Sequence, residues 1–167
     1  MSEYNFCSKC GAQLKKNKTD PYCPICKIVY YHNSKPCCGV LIIRDDELLL
    51  GIRKINPFKG QLDVIGGFLL EGEHPEDGCR REALEETGLK IKIKEYLGTY
   101  MDEYGDCGIW VLSMYCIAEI ESGKMKANDD VESLQWRKIS ELNPEELAFK
   151  CNREAIQALK KRYQITK

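Results

Sequence analysis

Apolar residues in this chain gather into short runs separated by turn signals, the pattern of strands rather than of a helical bundle. Gly39-Val-Leu-Ile-Ile-Arg44 is the first convincing strand, Asp45-Asp46 a turn signal, and Glu47-Leu-Leu-Leu-Gly-Ile52 the returning strand of a hairpin. Residues 56–60 read as a loop, and a short strand around 62–65 leads to Gly66-Gly67. Residues 91–100 and 109–120 read as two more strands around a loop at 102–108, and 134–139 as another. Two stretches predict helices. In the first, Pro75 suits the opening turn, Glu76 and Asp77 suit its positive end, and Gly88 suits its C-terminal cap. Gly78 inside it costs about 1 kcal/mol relative to Ala. In the second, 152–163, Ala155, Ile156, Leu159 and Tyr163 share one side. Together these elements predict an α/β domain with a mixed sheet.

Residues 1–36 break the pattern. They are Lys-rich, poor in aliphatic residues, and carry Cys7-Ser-Lys-Cys10 and Cys23-Pro-Ile-Cys26, two CxxC pairs twelve residues apart. Such a segment buries little core, so a metal staple makes sense of it. Two CxxC knuckles suit Zn²⁺ held by four thiolates. Four sulfur ligands leave no open position, so this zinc is expected to be structural, one per chain. No βαβ context surrounds either pair, which argues against a redox role. The expected domains are therefore a zinc ribbon over 1–36 and a larger domain over 37–167. The other cysteines, Cys37, Cys38, Cys79, Cys107, Cys116 and Cys151, read mostly as small buried hydrophobes.

Composition narrows the class. The 167 residues are 43% apolar and 31% charged, as suits a globular protein, and the net charge of −1 points away from nucleic-acid or membrane partners. No apolar run approaches the roughly 18–20 residues that span a bilayer. The first residues, MSEYNFCSKCG, lack the apolar core of a signal peptide, so a cytoplasmic location is expected.

The densest chemistry lies in Arg81-Glu82-Ala83-Leu84-Glu85-Glu86-Thr87-Gly88-Leu89. Glu82, Glu85 and Glu86 stand at i, i+3 and i+4, on one helical face. Three like charges so close destabilise a bare helix, and a divalent cation reverses that effect. Mg²⁺ and Mn²⁺ prefer carboxylate oxygens and keep waters and substrate phosphates in their shell. Taken alone, such a run is more often a solvated helix face.

The wider spacing changes this. Gly67, five residues, Glu73, seven residues, then Arg81-Glu82-x-x-Glu85-Glu86-x-Gly88-Leu89 resembles the complete signature of the Nudix hydrolases. The resemblance implies a three-layer α/β/α Nudix sandwich and hydrolysis of a nucleoside diphosphate linked to another moiety. It implies Glu82 and Glu86 as principal metal ligands, Glu85 as a further ligand or water-holder, and Gly67 as a backbone-carbonyl ligand. Glu73 and Arg81 would lock the loop to the helix. The family usually has a further acid before a strand ending in Trp; Asp130, ahead of Leu134-Gln135-Trp136, stands at that place. A homodimer is expected from the resemblance alone.

The cysteine segment, followed by Tyr31-His32-Asn33-Ser34-Lys35-Pro36, resembles the zinc ribbon of the NADH pyrophosphatase group. That group carries an SQPWPFP-like motif after the signature, and residues 96–108 hold nothing like it. The motif-lacking relatives are more similar to ADP-ribose pyrophosphatases, so ADP-ribose or a related dinucleotide is the expected substrate. Tyr100, Asp102, Glu103 and Tyr104 are candidates for binding it. Two alternatives stay open: a pyrophosphohydrolase that cleans the nucleoside triphosphate pool, and a Nudix-fold regulatory module that uses the ribbon.

Overall fold

The computed structural model describes residues 4–16 and 20–164. The chain divides into two compact units, Met1–Ser34 and Lys35–Lys167. In the first, β1 (Lys15–Lys16) and β2 (Pro21–Tyr22) pair antiparallel. Neither was foreseen: strands of two residues carry no readable period.

The second unit holds β3 (Lys35–Arg44), β4 (Glu47–Arg53), β5 (Leu62–Asp63), β6 (Ile65–Phe68), α1 (Pro75–Thr87), β7 (Leu89–Glu103), β8 (Trp110–Gly123), β9 (Val131–Lys138) and α2 (Lys150–Arg162). Single 3₁₀ turns lie at Tyr104–Asp106 and Pro144–Glu146. The seven strands run in the order β5-β4-β3-β8-β7, with β6 also on β3 and β9 also on β4. The expected hairpin exists, but it is short: β3 meets β4 only at Ile43↔Leu48 and Arg44↔Glu47. The rest of β3 lies parallel to β8 and antiparallel to β6.

Alternation along the strands builds the core in two layers. Val40 and Ile42 of β3, with Leu49 of β4 and Cys116 and Ala118 of β8, face α1 through Cys79 and Ala83. Leu41, Leu48, Leu50, Tyr115 and Ile117 face α2 through Ala155, Ile156 and Leu159. The result is an α/β/α sandwich. Tyr163, read as part of the buried side of α2, is instead half exposed, and its hydroxyl donates to Glu95 at 2.9 Å. Of the six unpaired cysteines, five are buried and Cys107 is exposed. Among the described residues no helix is long and apolar enough to cross a membrane.

Candidate metal and substrate sites

Helix α1 starts and stops for local reasons. The His74 side chain accepts from the Glu76 N–H, Pro75 opens the first turn, and Gly88 closes the helix at φ 69°, a conformation glycine adopts without a Cβ penalty. One face of the helix packs Cys79 and Ala83 on the sheet. Glu82 and Glu86 lie beside that face and are buried, 8% and 7% exposed.

Strand β6 supplies the opposing wall. Gly66 and Gly67 lie within the strand and pair with Gly39 and Cys38 of β3. This brings the backbone against the helix. The Gly66 N–H donates to Glu86 at 3.0 Å. A Cβ at Gly67 would stand 2.5 Å from a Glu82 oxygen, so only glycine leaves room for that carboxylate.

Arg81 ties the parts together. Its guanidinium donates twice to Glu73 at 2.8 and 2.9 Å, to Glu82 at 2.7 Å, to Glu85 at 3.0 Å and to the Phe68 carbonyl at 3.0 Å. The guanidinium holds the Glu73 carboxyl down at about 2, helped by the Leu70 N–H.

The acids at 129–130 complete the ring. Asn128 N–H donates to the Glu86 carbonyl at 3.0 Å and Lys126 N–H to that of Thr87 at 2.9 Å, so the loop ahead of β9 caps the end of α1. It carries Asp129, at φ 50°, and Asp130 to the same cavity as Glu82, Glu85 and Glu86. Burial pushes the Glu86 carboxyl up to about 9, and Glu82, Asp63 and Asp130 add to the rise. Burial likewise raises Glu82, with Arg81 opposing and Glu85 and Asp129 adding. Two buried carboxylates, Glu82 and Glu86, and three exposed ones, Glu85, Asp129 and Asp130, line one cavity, and they are hard oxygen donors of the kind that Mg²⁺ and Mn²⁺ take.

The cavity measures about 330 Å³. Beyond the acids it runs to a floor that sequence reasoning missed. Asp63 accepts from Arg53 at 2.5 Å and from the Val64 N–H at 3.0 Å, and it also accepts from the Asn152 side chain, which in turn accepts from the Tyr115 hydroxyl. Burial pushes Asp63 up to about 6, against the pull of Arg53. No local motif announces this network, because its members come from β4, β5, β8 and α2.

Of the four residues expected to bind substrate, Tyr104 alone lines the cavity. Its ring stacks on Phe149 at 5.4 Å and meets Phe68 edge-on at 5.4 Å. The other three serve the frame. Tyr100 packs edge-on against Tyr115, Asp102 accepts from the Cys151 N–H at the start of α2, and Glu103 accepts from the Gly108 N–H. Their strand alternates, and the loop after it bends back on itself, which a linear reading does not show.

In the first unit, Cys7, Cys10, Cys23 and Cys26 bring their sulfurs within 4.8 Å of one another. Cys10 and Cys23 are 3.6 Å apart, close to the roughly 3.8 Å edge of a tetrahedron of sulfurs about 2.3 Å from zinc. The Cys26 N–H donates to Cys23 Sγ at 3.2 Å, and the Tyr30 hydroxyl donates to Cys7 Sγ at 3.2 Å. That hydroxyl draws the Cys7 thiol down, while the neighbouring Cys10 pushes the Cys26 thiol up to about 12. The cluster fits a zinc ribbon. Among the described residues it is the one set of Cys, His, Asp or Glu that converges this tightly.

The chain is similar in sequence and in fold to known proteins. The chain is 37% identical over 114 residues to an ADP-ribose pyrophosphatase of Methanocaldococcus jannaschii, covering 68% of this chain and 67% of that protein. It is 29% identical over 142 residues to an NAD-capped RNA hydrolase NudC of Vibrio parahaemolyticus, covering 83% of this chain and 53% of that protein, so the chain spans about half the length of this relative. A Nudix hydrolase crystal structure from Nitrosomonas europaea shares the fold with a TM-score of 0.81 at 22% identity, covering 96% of this chain and 93% of that one. A family model described as the NUDIX domain matches residues 34–159, and the chain belongs to the Nudix family.

Proposed function

We propose that this chain is a divalent-metal-dependent pyrophosphohydrolase that cleaves the diphosphate linkage of ADP-ribose or a related dinucleotide. The observation that carries this reading is the pair of buried carboxylates Glu82 and Glu86, set between the glycine strand and the acid turn at 129–130. Glu82, Glu85, Glu86, Asp130 and the Gly67 carbonyl would hold Mg²⁺ or Mn²⁺. Such a cation neutralises diphosphate charge and acidifies a water for in-line attack on phosphorus. Arg81 and Glu73 would position the acids, through the contacts of Arg81 to Glu73, Glu82 and Glu85. Phe68 and Tyr104 offer ring faces and edges to a base at the mouth. The relatives named for ADP-ribose and for NAD-capped RNA support substrates of this chemistry.

Residues 1–36 are proposed as a ribbon held by one structural Zn²⁺ on Cys7, Cys10, Cys23 and Cys26, and residues 37–167 as the hydrolase domain. The deciding experiment is a product-resolved screen with Mg²⁺ and Mn²⁺. ADP-ribose should yield AMP and ribose 5-phosphate. Release of pyrophosphate from nucleoside triphosphates, with ADP-ribose untouched, would replace this reading by the pool-cleaning one. No turnover of any diphosphate would leave a binding module.

A further inference from the structure

A second groove, of about 460 Å³, opens beside the catalytic cavity and shares Asp129 and Val131 with it. Its other lining residues are Lys54, Lys59, Ala127, Asn128 and Glu132. The two lysines sit on a tightly closed loop. Arg53 N–H donates to the Gln61 carbonyl, Gly60 N–H to that of Arg53, and Gln61 N–H to that of Phe58, at 2.8–3.1 Å. Lys54 is fixed further: its N–H donates to the Asp130 carbonyl at 2.8 Å and its ammonium to the Asp129 carbonyl at 3.2 Å. That contact uses one of three ammonium donors. Neither ammonium is paired with a carboxylate among the described residues. The groove therefore presents one ammonium held on the Asp129 carbonyl and a second, exposed one on Lys59, and it adjoins the catalytic cavity through Asp129 and Val131.

We propose that this groove is a subsite for a phosphate group carried on the substrate beyond its scissile diphosphate, with Lys54 and Lys59 as the specificity-determining residues. This rests on the diphosphatase reading above. The group could be a monoester on the nucleoside sugar or a phosphodiester leading to a further nucleotide, and both present the same oxygens. Lys54 would contribute a preorganised contact, and Lys59 a mobile one that closes on the anion. Glu132 and Asp129 line the same groove and oppose the anion, so they set how much the phosphate gains.

The test is equilibrium binding to the full chain, in Mg²⁺, of ADP-ribose, of ADP-ribose bearing a 2′-phosphate on its adenosine, and of ADP-ribose with a 3′-linked nucleotide, with hydrolysis followed in parallel. For at least one phosphorylated ligand, binding about fivefold tighter than to ADP-ribose is expected, an advantage that shrinks as salt is added. Lys59→Glu should erase that advantage and Glu132→Gln should enlarge it. Which of the two phosphorylated compounds shows it identifies the source of the phosphate. Equal affinity for all three compounds, or an advantage untouched in Lys59→Glu, overturns the subsite. Selective binding without hydrolysis overturns the hydrolase reading and leaves the subsite standing; no binding of any of the three overturns both.

Discussion

The backbone N–H of Gly66 donates to a carboxylate oxygen of Glu86 at 3.0 Å, joining strand β6 to helix α1 across the candidate metal site. It is a single neutral donor set against a buried charge. Burial, and then the neighbours Glu82, Asp63 and Asp130, outweigh it and push the Glu86 carboxyl up to about 9. The site thus buries acid at a cost, which a cation held there would offset.

Glu86→Gln should therefore separate activity from stability. Hydrolysis should fall by about 10²–10⁴-fold, since a neutral amide holds a divalent cation poorly. The metal-free protein should unfold at or above the wild-type temperature at neutral pH, because the neutral amide removes the cost of burying a carboxyl that must take up a proton on folding. Added Mg²⁺ should raise the unfolding temperature of the wild type and leave the variant unmoved. Calorimetry with and without Mg²⁺ reads both effects. Wild-type turnover in the variant would remove Glu86 from the metal site.

Gly67→Ala tests the fit of the strand to the acids. The added Cβ would lie 2.5 Å from a Glu82 oxygen, and Glu82 is buried and held by Arg81. The carboxylate must shift by a fraction of an ångström or more. Displacements of that size at a reacting centre cost about 10²-fold in rate. Steady-state kinetics should show the loss mainly in kcat, with Mg²⁺ needed at higher concentration. An Ala variant with unchanged kcat would show that Glu82 has slack.

How far the chain could be read without coordinates follows from where each signal lies. Helix α1 was readable to the residue because Pro75, Gly88 and the three glutamates are local. The cysteine cluster was readable because its spacing is the signal. The cavity floor was not, because Arg53, Asp63, Tyr115 and Asn152 meet only after β3 runs parallel to β8, a pairing that no hairpin pattern announces. Tyr100, Asp102 and Glu103 do not line the cavity for a related reason. They belong to β7, which alternates in direction, and only the turn at Tyr104 reaches the cavity.

The Glu73–Arg81 pair carries a pH signature. Glu73 titrates near 2 when folded, below the ordinary value of 4.5. A depressed carboxyl stabilises the fold above its unfolded pKa, and that contribution is lost as pH falls through the folded value. The window is therefore about pH 4.5 down to 2. Urea denaturation at pH 7 should show Glu73→Gln less stable than the wild type, and the gap should narrow across this window. A gap that stays constant from pH 7 to pH 2 would mean that Glu73 acts through packing rather than charge.

Removing the zinc-ribbon metal should act locally. Elemental analysis of protein purified without chelator should give one Zn²⁺ per chain. In Cys23→Ser, amide exchange should accelerate across residues 4–34, since a segment with so little core depends on the metal for its fold. Protection in α1 and β3, which lie in the other compact unit, should persist. Zinc-free wild type with unchanged exchange in 4–34 would count against the ribbon.

Gly78→Ala sets helix propensity against packing. On propensity alone Ala gains about 1 kcal/mol over Gly within a helix. The structure reverses the expected sign. An added Cβ would collide with Leu69 Cδ2 and lie 3.0 Å from Cys38 Sγ and 3.3 Å from Glu73 Oε2. Leu69 could turn aside, but it packs on the α1-facing core. Glu73 is fixed by Arg81 and by the Leu70 N–H, and Cys38 is buried in β3. Overpacking of this kind costs about 1–3 kcal/mol, enough to cancel or exceed the helix gain. Urea denaturation should therefore show the variant no more stable than wild type, and less stable by up to about 2 kcal/mol. A shift of Glu73 would also loosen Arg81, so kcat should fall with stability. A variant more stable by the full 1 kcal/mol or so, with unchanged kcat, would show that Leu69 swings away freely and that the glycine is not needed for the approach of β6 and its loop to α1.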